Sequence, residues 1–253
     1  MKIFYFTGTG NSLSVAKRIG GELLSIPQEV HKEKCCYKDD AIGIIFPVYY
    51  GDMPDMVRRF LEKAEFESDY LFAVGTYGSS YAAALEYMQE LAHERGYQFN
   101  YLNALLMVDN FPPFFDMDDE IRRLPAKRTK ENLKQLVADI DARKEYTPVT
   151  FFGARATSEH AKNYVGEYSS QGFVVDDTCT LCGTCTSVCP AANISITDKV
   201  SFSDKCESCY ACIHACPKSA IKPKHERSSK RFRNEDVSLK EIIEANKQNG
   251  SIK

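Results

Sequence analysis

The sequence predicts an α/β protein: a doubly wound, five-stranded parallel sheet followed by a small, cysteine-rich α+β unit. Three observations carry this. Over the first 145 residues short continuous apolar runs alternate with helix-period segments, the pattern of a parallel sheet covered on both faces. Eight of the ten cysteines fall between Cys179 and Cys216. The chain, 253 residues with 43% hydrophobic and 26% charged side chains, has the apolar material for a packed core and exceeds a usual domain of roughly 100 to 200 residues.

The first strand is residues 2–6, and residues 12–24 follow as a helix with Leu13, Ala16, Ile19 and Leu23 on one stripe. A weak second strand is expected near residues 29–32. Residues 41–46, Ala-Ile-Gly-Ile-Ile-Phe, read as a buried third strand, and Pro54 opens a helix carrying Met56, Val57, Phe60, Leu61 and Ala64. Residues 70–74 are the fourth strand. Tyr81, Ala84, Leu85, Met88, Leu91 and Ala92 mark the next helix, residues 101–108 the fifth strand, and Leu133, Leu136, Val137 and Ile140 anchor a last helix over 119–143. Connected right-handedly, these elements fit a doubly wound open sheet, with ligand loops beyond the strands' carboxyl ends at 7–12, 47–52 and 75–80. The expected organisation is a sheet domain over 1–145, a linker over 146–172 with one helix from Ser158, a cysteine module over 173–223, and a basic tail over 224–253. Ser238 and Glu241 there have capping-box spacing ahead of Ile242 and Ile243.

A formal charge of -3 gives no basic field for nucleic acid or an anionic membrane. No run approaches the ~18 apolar residues of a membrane span, and four apolar residues before Gly8 do not make a signal peptide. The cysteines of a chain kept in reducing cytosol hold metal rather than structural disulfides, so the expected location is cytoplasmic.

The cysteine module reads Cys179-x-x-Cys182-x-x-Cys185-x-x-x-Cys189-Pro190, then Cys206-x-x-Cys209-x-x-Cys212-x-x-x-Cys216-Pro217. Each cysteine has a counterpart 27 residues on, as do Asp177 in Asp204 and Ile194 in Ile221, so the segment is an internal duplication. A cubane iron-sulfur cluster takes three thiolates from one tight loop, and the cysteine before proline ligates the other cluster. By that rule Cys179, Cys182 and Cys185 join Cys216, while Cys206, Cys209 and Cys212 join Cys189. Structural zinc also uses four-cysteine sites, but these come as two separated C-x-x-C pairs. Over residues 173–223 the module resembles the bacterial two-cluster ferredoxins, which implies two [4Fe-4S] clusters that carry single electrons. Small residues between ligands, Gly183, Thr184 and Ala211, are expected to let backbone N–H groups approach sulfur.

Thr7-Gly8-Thr9-Gly10-Asn11-Ser12 follows a strand and opens a helix. Backbone N–H groups, hydroxyls and a helix N-terminus can wrap a phosphate without a cationic side chain; the competing reading is a tight helix-capping turn. Leu13 breaks G-x-G-x-x-G, and the Gly-Lys-Ser/Thr of ATP-type loops is absent. The loop resembles the phosphate loop of flavodoxins, a likeness that runs through the first 145 residues in strand order and loop placement and implies FMN and the strand order 2-1-3-4-5. The family's second loop corresponds to Pro47-Val48-Tyr49-Tyr50-Gly51-Asp52 and its third to Gly75-Thr76-Tyr77-Gly78-Ser79-Ser80. From these loops Pro47, Tyr49, Tyr50, Gly51, Gly75, Thr76, Tyr77 and Gly78 are the expected ring contacts, aromatics sandwiching a flat ring and backbone meeting its polar edges. Ser12 stands where threonine is usual, the third loop is short of acids, and Trp is absent.

Other signals are weaker. Cys35-Cys36 is an adjacent pair in a polar loop with no role assigned. The acidic patch at 116–120, with Phe111-Pro112-Pro113-Phe114-Phe115 after the last strand, reads as a packing loop with closure over a ligand as its alternative, and the basic tail as a solvated one with docking to a partner or to the flavin domain as its alternative. Together the chain resembles the bacterial flavodoxin-ferredoxin fusion proteins. That implies an electron-transfer protein joining FMN and two [4Fe-4S] clusters to redox partner proteins, an electron donor and an acceptor. The alternatives are an FMN-dependent reductase of a small substrate and an interaction module that has lost FMN.

Overall fold

The computed structural model describes residues 1–248. In chain order the first part contains β1 (Lys2–Tyr5), α1 (Asn11–Ile19), β2 (Glu22–Ser25), α2 (Ile26–Glu29), β3 (Cys36–Lys38), β4 (Ala41–Pro47), α3 (Asp55–Lys63), β5 (Glu65–Glu67), β6 (Tyr70–Tyr77), α4 (Ala84–Glu94) and β7 (Tyr101–Leu106). The main sheet runs β2-β1-β4-β6-β7, all parallel, so its own five strands have the expected order 2-1-3-4-5. Its centre is apolar on both faces: Ile3, Phe4, Ile42, Ile44, Ile45, Phe72 and Val74 are fully buried.

Several elements depart from the sequence reading. The first helix ends at Ile19 because Gly20 and Gly21 take φ of 89° and 99°, which stops a right-handed helix. The chain turns at once into β2, so Leu23 lies in the edge strand, in register with Ile3. Of residues 29–32, expected as that strand, Glu29 instead ends α2, which Pro27 opens in its first turn, and 30–32 turn away from it. Cys36 is not in a loop: β3 pairs with β5 in a separate two-stranded sheet, and Cys35 beneath it is buried. The last helix of the domain divides into α5 (Met117–Arg122), α6 (Leu124–Lys127) and α7 (Thr129–Asp141), broken where Pro125 removes an N–H and Arg128 takes φ 49°. The acidic patch is the start of α5, where Asp116 accepts from the N–H groups of Asp118 and Asp119. The linker helix α8 (Ala154–Lys162) begins four residues earlier than Ser158.

The cysteine module holds β8 (Val174–Val175), α9 (Thr184–Ser187), β9 (Ile194–Ile196), β10 (Val200–Phe202), α10 (Ala211–Ala215) and β11 (Ile221–Lys222), with β8 antiparallel to β11 and β9 to β10. The duplication is visible in the backbone. Left-handed φ occurs at Leu181 and Ser208, Gly183 and Tyr210, and Ala192 and Ser219, each pair separated by the cysteine repeat. Non-glycine residues held in this region cost free energy, so the matched geometry is imposed by what the loops must surround.

From Phe232 to Asn246 the tail packs rather than lying free in solvent, because its apolar side chains find the sheet domain. Phe232, Val237 and Ile242 are buried. The Asn234 N–H donates to the Thr9 carbonyl at 2.9 Å. Ser238 and Glu241 form the full capping box of α11 (Leu239–Asn246), and Lys17 pairs with Glu241 at 2.6 Å. The Asn246 amide donates to the carbonyls of Thr7 (3.2 Å) and Val188 (2.9 Å), pinning tail, phosphate-type loop and cysteine module at one buried point. Asn246→Ala leaves both carbonyls unpaired and should cost about 2 kcal/mol. Urea unfolding checks this as a lower midpoint at unchanged slope.

Candidate functional site

The eight clustered cysteines divide into the two crossed sets. Cys179, Cys182, Cys185 and Cys216 line one cavity together with Leu181 and Ile196. Cys189, Cys206, Cys209 and Cys212 line another, with Ile194 and Phe202. The cysteines ring these spaces without closing on a point: among the described residues no group of three or more His, Cys, Asp or Glu is placed to hold a single ion. The duplicated turns bring backbone donors to sulfur, Asn193 N–H to Cys189 Sγ and its repeat partner Ala220 N–H to Cys216 Sγ, both at 3.3 Å. Ser208 N–H reaches Cys206 Sγ at 3.4 Å. They add to the donors expected between the ligands, where the Thr184 backbone reaches Cys182 and the Ala211 backbone reaches Cys209.

The two sets differ in surroundings. In the first, Cys182 is exposed and a hydrogen bond from Thr184 lowers its thiol pKa, whereas burial lifts Cys185 to about 11. In the second, burial and the neighbouring sulfurs raise Cys209 and Cys212 well above the usual thiol range. Four thiolates cannot share such a space without a cation, whose binding takes the protons' place. The chemistry of this donor set suits an iron-sulfur cube.

The second cavity faces the sheet domain. A Cβ at Gly8 would lie 2.6 Å from the Cys209 carbonyl oxygen and 3.1 Å from the Tyr49 hydroxyl, so the cluster loop rests on the glycine of the phosphate-type loop. Glu207 accepts from the Met56 N–H at the start of α3 (3.1 Å) and pairs with Arg59 at 2.9 Å. Burial lifts the Glu207 carboxyl to about 7. His214 on α10 accepts at Nδ1 from the Phe232 N–H (3.1 Å), which leaves Nε2 to donate to the Asn110 carbonyl (2.8 Å). Burial pushes this imidazole down to about 4.

Two adjoining cavities lie at the carboxyl ends of β1, β4 and β6. The smaller collects Thr7, Gly8, Thr9, Asn11, Ser12, Pro47, Tyr49, Thr76, Tyr77 and Gly78. Thr7, Thr9, Ser12 and Thr76 are buried hydroxyls, each with a partner: Ser12 meets Thr76 at 2.9 Å, Thr7 accepts from the Gly10 N–H at 3.1 Å, and Thr9 accepts from the Asn110 amide. The larger, about 440 Å³, includes Tyr49, Tyr50, Gly51 and Gly78 in its wall. Its other aromatics include Phe111 and Phe114, from the loop whose closure over a ligand is the alternative to packing, and Tyr164, Tyr168 and Tyr210, from segments not assigned to the ring site in the sequence. Tyr50 meets Phe111 edge to face at 5.9 Å, and Phe111 meets Tyr210 at 5.2 Å.

Two expected contacts line neither cavity. Gly75 lies inside β6, which extends to Tyr77, and is paired in the sheet with Phe46 and Ala104. Gly10 caps α1 at φ 102° with its open side against Asn234 and Val237. Conversely Asp109, Asn110 and Ser158 were missed. Ser158 donates to the Gly51 carbonyl at 2.8 Å and accepts from the Ala83 N–H at 3.1 Å, so the linker helix covers the second loop. An exposed-looking serine in a linker carries no such signal; its spacing from Ala154 on one helix face was the available cue.

Comparisons with known proteins bear on parts of the chain. Residues 172–217 match the 4Fe-4S dicluster domain family. No curated protein matches the chain. Similar solved structures include a protein described as a candidate flavoprotein from Bacteroides uniformis, 17% identical, covering 47% of this chain and 94% of that one, with a TM-score of 0.34. One so described from Bacteroides eggerthii is 15% identical, over 50% and 96% of the two chains, TM-score 0.33. The Trp repressor binding protein from Bacillus subtilis is 9% identical, over 53% and 96%, TM-score 0.34.

A methyl group at Gly8 has backbone on one side and Tyr49 on the other, so Gly8→Ala must push the Cys209 loop away. Overpacking of this kind costs about 1–3 kcal/mol. Thermal unfolding should show the loss, and limited proteolysis should cut between residues 173 and 223 faster than in the parent chain.

Proposed function

We propose that this chain is an electron-transfer protein that holds FMN in the two adjoining cavities and a [4Fe-4S] cluster in each cysteine set. The observation that carries the reading is the four-and-four division of the cysteines around separate cavities, one of them seated on the phosphate-type loop. The residues suit the cofactors. Thr7, Thr9, Ser12 and Thr76, with the N-terminus of α1, offer neutral donors to a phosphate. Tyr49, Tyr50 and the Gly78 backbone would hold a flat ring in the larger cavity, with Tyr77 at the edge of the smaller one. When bound, FMN takes one or two electrons and each cluster passes one, which lets such a chain connect pair carriers to single-electron carriers.

The chain's own groups would set the route. Tyr210 belongs both to the wall of the ring cavity and to that of the second cysteine set. The first set, with exposed Cys182, lies toward solvent and would serve redox partner proteins. The described residues contain no helix long and apolar enough to cross a membrane. A second reading, reduction of a small substrate at the flavin, is favoured by the size of the 440 Å³ cavity. Turnover of a candidate substrate with a reduced one-electron donor tests it.

Protein reconstituted anaerobically should carry about eight irons, as two four-iron cubes, with one FMN per chain. Retention of no flavin would favour the interaction module. Cys216→Ser should remove the same cluster as Cys179→Ser, leaving about four irons and the same low-temperature electron paramagnetic resonance spectrum in both. Uncrossed ligation would instead pair the spectrum of Cys216→Ser with that of Cys206→Ser.

A further inference from the structure

Asp109 occupies a place that neither the cysteine sets nor the hydroxyl loop explains. It follows β7 and lines both the small hydroxyl cavity and the large aromatic one, on the wall they share. Loop three is moulded to it: a Cβ at Gly78 would fall 2.2 Å from the Asp109 Cβ, so only glycine allows the carboxyl to sit this close to the expected ring site. Among the described residues no cation forms an ion pair with it. Lys127, the basic group beside it, gives its ammonium to the Gly78 carbonyl (2.9 Å), the Met107 carbonyl (2.6 Å) and Glu120 Oε2 (2.6 Å). Glu120 in turn accepts from the Asp109 N–H at 2.9 Å, and Asp109 Oδ1 accepts from the Phe111 N–H at 3.2 Å.

We propose that Asp109 is the charge-compensating group of this cavity, binding a proton from solvent as an electron enters the occupant and releasing it as the electron leaves. The step balances: one electron arrives from a one-electron carrier, one proton arrives from water, and the carboxylate becomes a carboxylic acid. No bond to the occupant forms or breaks. An uncompensated electron in a wall of aromatic rings interacts strongly with a nearby carboxylate, and protonation removes that repulsion.

The electrostatics agree with the geometry. Burial, then the charge of Glu120, lifts the Asp109 carboxyl to about 6, partly offset by the Phe111 N–H and by Lys127. The other ionisable groups of the two cavities are Tyr49, Tyr50, Tyr77, Tyr164, Tyr168, Tyr210 and His160. Added negative charge in the cavity raises the carboxyl further. Between its two values the first electron and one proton therefore enter together.

The inference rests on FMN occupying the cavities, so flavin binding is measured first, by fluorescence quenching of added FMN. With FMN bound, potentiometric titration of the wild type from pH 5 to 8.5 should show an extra fall in the first flavin potential beginning near pH 6. This corresponds to about a further tenfold per pH unit in the equilibrium with a one-electron donor. Asp109→Asn, which keeps shape and polarity, should lack that break. Because the variant changes a packed loop, a second measurement uses the unmodified protein: redox-difference infrared spectra with ¹³C-labelled aspartate should gain a protonated carboxyl band on reduction above pH 6. FMN bound with the break retained in Asp109→Asn, or with no labelled carboxyl band, overturns the role of Asp109. Absence of FMN binding overturns the functional reading, and this inference with it.

Discussion

The carbonyl of Cys209 rests on the backbone of Gly8, and most of the arrangement depends on that contact. A side chain at position 8 would hold the cysteine module away from the sheet. With hydrogen there, the second cysteine cavity, Tyr49 and the hydroxyl loop occupy one continuous region. The remaining contacts act around this point: Glu207 on the start of α3, His214 on Asn110, and the α11 amide of Asn246 on Thr7 and Val188. One apolar cluster runs through all three parts, from Ile3 and Phe46 to Val188, Ile213 and Ile242. The module and the tail are therefore not appendages on a linker but parts of one core.

Burial gives the cysteines a second constraint. Cys209 and Cys212 resist ionisation among other sulfurs, so the loop that touches Gly8 has unfavourable electrostatics as a metal-free tetrathiolate. The left-handed turns at Leu181, Ser208, Tyr210, Ala192 and Ser219 add conformational cost. Both costs are offset by what the turns enclose. On the proposed function, folding of the module would be coupled to loading of its clusters for that reason, and so would the shape of the wall that Tyr210 contributes to the aromatic cavity.

Much of this was legible in the sequence because the signals were local. The strands followed from apolar runs such as residues 41–46, their order from the flavodoxin resemblance, the capping box from Ser238 and Glu241, and the crossed sets from two matched cysteine spacings. What failed were choices between local alternatives that tertiary contacts decide. Gly20-Gly21 shortened a helix whose stripe continued into Leu23. Arg128 and Pro125 split one periodic segment into three. The tail's composition, rich in charge, concealed Phe232, Val237 and Ile242. Asp109 was invisible as a cavity group because its setting comes from Gly78, Glu120 and Lys127, which lie on different elements. Gly75 and Gly10 were misjudged for a related reason: a glycine needed for a strand or a cap looks, in sequence, like one needed for a ligand.

Anomalous diffraction at the iron edge, from crystals of protein purified without oxygen, tests the central claim most directly. Two separate four-iron densities are expected, one among Cys179, Cys182, Cys185 and Cys216, the other among Cys189, Cys206, Cys209 and Cys212, the latter beside Gly8 and Tyr49. Iron bound by Cys206, Cys209, Cys212 and Cys216 together, or a single iron in place of a cube, would contradict it.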